Sequence, residues 1–234
     1  MADRVRVQNL GAAINMFSQG IPFFHAGQDM LRSKSLDRDS YNAGDWFNLL
    51  DFSYQTNNFG VGLPIASVNQ DNWSLMSPIL ANPLIKPGMP DIVSAKNTFT
   101  DLLAIRKDSS LFRLRTGQDV IERLQFLNVG PQQVPGVVAM RIDGQHPRRY
   151  EDAKYSSVVV LFNVDKVAKT LTLAELKGRH LHLHRVQRRS QNDVLARTAT
   201  YDSASGGFTL PPRSTIVFVE RGGRHEENEH DEDD

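Results

Sequence analysis

Ile21-Pro22-Phe23-Phe24 is a short, continuously apolar run, and it stands alone. Before it, Leu10, Ala13, Ile14 and Phe17 recur at helical spacing between Arg4 and Gln19. Gly20 then closes that helix, because glycine is free to take the positive φ that helix ends favour. A four-residue apolar run suits a strand buried on both faces, the habit of parallel sheets. Such a strand needs neighbours on both edges, and parallel neighbours need crossovers of about a dozen or more residues. Residues 1–110 offer no partner of that kind. Each buried backbone group left unpaired costs about 1–3 kcal/mol. The first half of the chain therefore reads as the end of a larger α/β domain.

The stretch from His25 to Pro90 is rich in Gly, Asn, Asp, Ser and Pro, interleaved with large aromatics. Loops of that length inside compact domains are uncommon and are usually functional or disordered. Trp46, Phe47, Phe52, Tyr54, Phe59 and Trp73 offer too much buriable surface for disorder, so an ordered loop on a rigid scaffold is expected. Helical period returns from Asp91 to Lys107. Beyond a boundary near Phe112 come short β-rich runs: 120–126, 137–142, 158–162, 170–173, 181–183 and 215–219. Separated by turn clusters such as Gly130-Pro131 and Asp143-Gly144, they predict an antiparallel β-sandwich over 113–221. Residues 222–234, acidic and short of apolar side chains, are expected to be a disordered tail.

Charge and composition remove whole classes of function. Lys and Arg number 27 and so do Asp and Glu, which is not the footprint of a nucleic-acid binder. No run approaches the roughly 20 apolar residues of a membrane-spanning helix. Without cysteine, disulfides and cysteine-ligated zinc are excluded.

Gly20-Ile21-Pro22-Phe23-Phe24-His25-Ala26-Gly27-Gln28-Asp29 resembles the eighth-strand segment of the α-amylase superfamily. The continuation is more specific. Leu31-Arg32-Ser33-Lys34-Ser35, Asp39-Ser40-Tyr41, Gly44-Asp45-Trp46-Phe47-Asn48 and Asn57-Asn58-Phe59-Gly60-Val61-Gly62-Leu63-Pro64 resemble pullulanase-type α-1,6-debranching enzymes, plant-type limit dextrinases above all. Ser110-Leu111-Phe112-Arg113-Leu114 continues the similarity, which covers roughly residues 1–221. The resemblance implies an α+β composite: residues 1–112 as the last βα segment and long active-site loop of a (β/α)8 barrel, then the sandwich. In such barrels the loops at the carboxyl ends of the strands build the active site. It also leaves the compartment open while allowing the plastid, allows a calcium ion without identifying its ligands, and makes branched α-glucans (pullulan, limit dextrin, amylopectin) the partners, together with the missing amino-terminal barrel region.

Retaining glycosidases need two carboxyl groups about 5–5.5 Å apart. By the resemblance these precede the first residue here, so no carboxylate of this chain is assigned a catalytic role. What remains is substrate positioning. Glucose rings present apolar faces and a rim of hydroxyls, and Arg38, Asp39, Asp45, Trp46, Phe47 and Asn48 combine aromatic with polar groups. The family carries an acidic sugar-binding residue in this loop, a role that falls to Asp39, with Arg38 as a second contact or its orienting partner. The structural alternatives are an Arg38–Asp39 pair that only holds the loop, Asp45 and Asn48 as caps, and Trp46 and Phe47 as core. Arg32 and Lys34 are expected to brace the loop. His180, His182 and His184 alternate with metal-ligand spacing but lack a carboxylate or cysteine in the pattern, so a solvated edge is expected. A competing reading of the whole chain is a non-catalytic carbohydrate-binding or partner module encoded separately. On either reading the purified chain will release no reducing ends from pullulan, which a reducing-sugar assay checks directly.

Overall fold

The computed structural model describes residues 1–151 and 153–222; the tail expected over 222–234 lies, beyond Gly222, outside the described residues. The α-helices are α1 Ala2–Phe17, α2 Asp45–Asn48, α3 Ala66–Asn69, α4 Trp73–Leu80, α5 Met89–Asp108, α6 Gly117–Arg123 and α7 Arg185–Arg189. The strands are β1 Leu124–Phe126, β2 Val137–Asp143, β3 Tyr155–Asn163, β4 Lys169–Thr172, β5 His182–Leu183, β6 Thr200–Asp202, β7 Gly207–Leu210 and β8 Ser214–Arg221. They fall into two compact units, Met1–Ala12 with Phe24–Phe99 and Ala13–Phe23 with Thr100 onward.

The first unit has no strand among its described residues. It consists of the start of α1, the long loop with α2, α3 and α4, and the first half of α5. Asp91 opens α5 by accepting the Gly88 N–H at 3.0 Å, and a carboxylate there also suits the helix dipole. Ile92 and Ala95 are buried, and Phe99 meets Phe24 edge-on with ring centroids 4.9 Å apart.

The second unit is built on two antiparallel sheets, in strand order β1-β2-β3-β8-β5 and β4-β7-β6. Their inward residues share one core: Val137, Val159, Leu161, Ile216 and Phe218 from the larger sheet meet Leu171, Phe208 and Leu210 from the smaller. β3 is buried along its whole length, because β2 and β8 flank it and both its faces are covered. Asn163 ends β3 from a fully buried position, donating to the carbonyls of Val167 and Pro211 at 2.9 Å each. β6 and β7, which sequence reading left without a strand, complete the small sheet.

Two expectations need correction. Ile21–Phe24 is not a strand; no described segment pairs with it, and Ile21 and Phe23 are 83% and 85% exposed. With no neighbour to supply ladder hydrogen bonds, an apolar run has no reason to stay in one. Residues 120–126 are not a single strand either, since α6 takes Gly117–Arg123 and leaves only β1. Thr116 caps that helix, its hydroxyl accepting the Asp119 N–H at 3.0 Å and bonding the Asp119 carboxylate at 2.7 Å. Local capping outweighed the β propensity of Val120 and Ile121, and Ile121 is left exposed.

The ends of α1 and α5 are tied within the second unit by charged side chains. Arg106, buried, donates to the carbonyls of Met16 (2.5 Å), Ser18 (3.1 Å) and Gly20 (2.8 Å). It thereby satisfies carbonyls that the end of α1 leaves without helical partners. Asp108 gathers donors from three places: the Tyr155 hydroxyl at 2.5 Å, Lys154 at 3.1 Å and Arg185 at 3.0 Å. A fourth, His184 Nε2, lies 3.1 Å away. Burial pushes the His184 imidazole below its ordinary value despite the neighbouring carboxylate, so the ring is neutral. Its Nδ1 accepts the Val186 N–H and its Nε2–H donates to Asp108. The three histidines are therefore not one solvated face: His180 and His182 are exposed, whereas His184 is 1% exposed and structural.

Burial alone would raise the Asp108 carboxyl. The hydrogen bonds from Tyr155 and Lys154, with the charges of Lys154 and Arg185, more than offset it and hold the group at about 2. A folded value below the unfolded one means the contribution is complete above about pH 4 and is lost as pH falls toward 2. The size of this shift corresponds to about 2 kcal/mol. Asp108→Asn is expected to destabilise the chain at pH 7 and to flatten that limb of the stability curve, measured by urea denaturation between pH 2 and 7.

Candidate functional site

The long loop of the first unit is held by side chains that replace missing sheet hydrogen bonds. Asn58 is buried with φ of 68°, a left-handed conformation that asparagine tolerates. Its Nδ2 donates to the carbonyls of Trp46 (2.8 Å) and Phe47 (3.0 Å). Asn57 donates to Leu31 O at 2.6 Å, and its own carbonyl accepts the Ser33 N–H at 2.7 Å. Asn69, fully buried, donates to Asp37 Oδ1 at 2.9 Å and accepts the Arg38 N–H at 3.2 Å. Arg32 spans the loop, donating to Ala26 O at 3.1 Å and Asn48 O at 2.6 Å. Lys34 donates to the Ser40 hydroxyl. The bracing roles expected for Arg32 and Lys34 match these contacts.

Onto this frame the six candidate residues divide. Asp39 is exposed and begins a 3-10 turn over Ser40–Asn42, its Oδ1 accepting the Tyr41 N–H at 3.4 Å. Among the described residues nothing else donates to its carboxylate, and no ion pair joins it to Arg38. The guanidinium of Arg38 turns instead to the Val68 carbonyl. Asp45 is exposed in the first turn of α2. Trp46 is 52% exposed, with its indole against Gly62, where an added Cβ would come within 2.9 Å of the ring. Phe47 lies beneath, 2% exposed, with its ring centroid 4.5 Å from that of Trp46. Asn48 faces inward and donates to Ser40 O (2.9 Å) and Gly44 O (3.1 Å). Arg38, Asp39, Asp45 and Trp46 thus offer groups to solvent, while Phe47 and Asn48 support them.

Sequence reading missed Tyr41, 95% exposed and anchored through its N–H to Asp39, and it missed the buried asparagines. Consecutive Asn57-Asn58 in an aromatic loop was the available signal. A cavity of about 440 Å³ also opens in this unit, lined by Arg4, Gln8, His25, Gln28, Arg32 and Asn57 among others, and none of the six candidates lines it. Among the described residues no three His, Asp or Glu side chains converge as a metal site, and no helix is long and apolar enough to cross a membrane.

Asn58→Ala leaves the Trp46 and Phe47 carbonyls without their donor and places alanine at positive φ. A loss of about 2–4 kcal/mol is expected, with faster nicking of residues 40–60 in limited proteolysis.

Comparison with known proteins gives a consistent set of relatives. The family model described as "Alpha-1,6-glucosidases, pullulanase-type, C-terminal" matches residues 54–221. Pullulanase 1, chloroplastic, from Arabidopsis thaliana is 49% identical over 222 residues, 93% of this chain and 23% of that protein. Pullulanase from Klebsiella pneumoniae is 35% identical over 93% of this chain and 20% of its own length. Among solved structures, PulA from Klebsiella oxytoca superposes with a TM-score of 0.85 at 32% identity, over 96% of this chain and 21% of that one. The maltotriose complex of PulA from Klebsiella pneumoniae gives 0.85 at 34% identity, over 94% of this chain and 23% of that one. The chain thus spans about a quarter or less of the length of these relatives.

Proposed function

Because this chain belongs to the C-terminal family of pullulanase-type α-1,6-glucosidases, we propose that it supplies the substrate-facing loop and the β-sandwich of a hydrolase that cuts α-1,6 branch linkages in pullulan, limit dextrin or amylopectin. In this reading the cutting carboxylates come from a barrel region outside these residues. Ile21–Phe24 takes its strand conformation only beside the strands of that barrel. The exposure of Ile21 and Phe23 supports this, because two large apolar side chains facing water forgo about 1.5–3 kcal/mol each.

The observation that carries the reading is the Asp39 turn. Its carboxylate is exposed, fixed at one oxygen by the Tyr41 N–H and open at the other, beside no cation that would neutralise it. A carboxylate in that state accepts hydrogen bonds from sugar hydroxyls, and charge-assisted bonds of this kind are about twice as strong as neutral ones. Arg38 and Asp45 add polar contacts, and the solvent face of Trp46 offers an apolar platform for a glucose ring. The PulA of Klebsiella pneumoniae has been solved with maltotriose, an α-glucan, which supports the same ligand class here. The plant relative is named as chloroplastic, which supports a plastid location for this chain.

The test joins this chain to the amino-terminal three quarters of the Arabidopsis pullulanase. The chimera is expected to debranch pullulan, and Asp39→Ala to lower kcat/KM by about tenfold or more, the equivalent of one lost charged hydrogen bond. Unchanged kinetics on branched dextrins would remove Asp39 from the site. Retention of maltotriose by the isolated chain would instead favour a binding module that works alone.

A further inference from the structure

A second concave site lies in the β-sandwich unit, independent of the glucan loop. A cleft of about 340 Å³ is lined by side chains from α6 and its cap and from the segment after β2, and four of them are arginines: Arg115, Arg123, Arg148 and Arg149. Two already have counter-charges. Arg115 pairs with Glu151 at 3.0 Å, and Arg123 has the Asp119 carboxylate 3.6 Å from its Nε. Arg148 and Arg149 are exposed, and neither guanidinium is bonded to or paired with a described residue. Among the described lining residues, four arginines thus stand against two carboxylates, Asp119 and Glu151.

Arg123 makes this more than a solvated basic face. Its side chain is 2% exposed, stacked over the Tyr150 ring at 4.9 Å. Nη1 donates to the carbonyls of Asp143 (3.3 Å), His146 (2.9 Å) and Arg148 (2.9 Å), which fixes the segment carrying Arg148 and Arg149. Nε has no hydrogen-bond partner, since Asp119 stands beyond bonding reach. The Arg123 Nε is itself buried and faces the Asp119 carboxylate, so it takes no part in binding; what Arg123 supplies is a fixed backbone for Arg148 and Arg149, whose exposed guanidinia line the cleft. Planar N–H forks match the oxygens of phosphate, and in a concave site arginines that no neighbouring carboxylate pairs attract an anion.

We propose that this cleft binds a phosphate-type oxyanion, as the free ion or as the phosphate monoester of a larger molecule. The anion bridges the Arg148 and Arg149 guanidinia, and Arg123 holds their backbone in place. Neither arginine belongs to the glucan loop, so the site is separable from it.

The test titrates the full chain with inorganic phosphate and with glucose 6-phosphate by calorimetry, using glucose and chloride at matched ionic strength as blanks. Arg148→Gln with Arg149→Gln is expected to weaken binding by about tenfold or more, and the Arg148→Lys, Arg149→Lys pair to restore part of it. Changing Arg188 and Arg189 on α7 to Gln is expected to leave binding unaltered. Binding of phosphate alone assigns the free ion, and binding of the ester alone assigns a monoester. Heat equal to the chloride blank overturns the site, as does equal loss in the α7 variant, which would mean only general attraction to positive charge.

Discussion

A chain that runs some sixty residues without joining a sheet still has to satisfy its backbone N–H and C=O groups, and here the amides of three buried asparagines meet that need. Asn57, Asn58 and Asn69 donate to backbone carbonyls or a carboxylate, Asn57 and Asn69 also accept backbone N–H groups, and Arg32 spans what they leave. Each such bond contributes only about 1 kcal/mol net, but leaving its partner buried and unpaired costs more. The arrangement is therefore close to all-or-none: the loop is ordered when the set is complete. The placement of Trp46 over Phe47 and Gly62, and of Asp39 at the head of its turn, follows from that order.

The second unit solves the same problem by other means. Its two sheets pair their own backbones, and their apolar inner faces fill one core. Charged side chains appear where elements end. Arg106 takes the carbonyls at the end of α1, and Asp108 at the end of α5 collects Tyr155, Lys154, His184 and Arg185. Arg123 does the same for the segment after β2. In each case one planar or multiply accepting group satisfies several backbone or side-chain partners, which is how a buried charge becomes tolerable.

Much of this was legible. The helical repeats of α1 and α5 and the runs that became β2, β3, β4 and β8 announced themselves by periodicity. β6 and β7 did not, because Thr200–Asp202 is short and Gly207–Leu210 begins in a glycine turn. Val120 and Ile121 pointed to a strand, and the Thr116 cap overruled them. The Arg38–Asp39 adjacency suggested a pair that the fold does not form, because the Val68 carbonyl lies within reach of the guanidinium. His184 was grouped with two exposed histidines although β5 ends before it and leaves it facing Asp108.

The sequence by itself determined the family, the two long helices α1 and α5, most strands of the second unit, and which aromatic and polar residue types the long loop has available. These depend on local spacing and on strings of rare residues, and both survive in one dimension. Only the tertiary structure decided that Phe47 and Asn48 face inward while Asp39 and Trp46 face water, and that Arg148 and Arg149 rim a cleft. Those outcomes depend on partners tens of residues away, such as Asn58 for Trp46 and Arg123 for Arg148, and no local pattern encodes which carbonyl a distant amide will find.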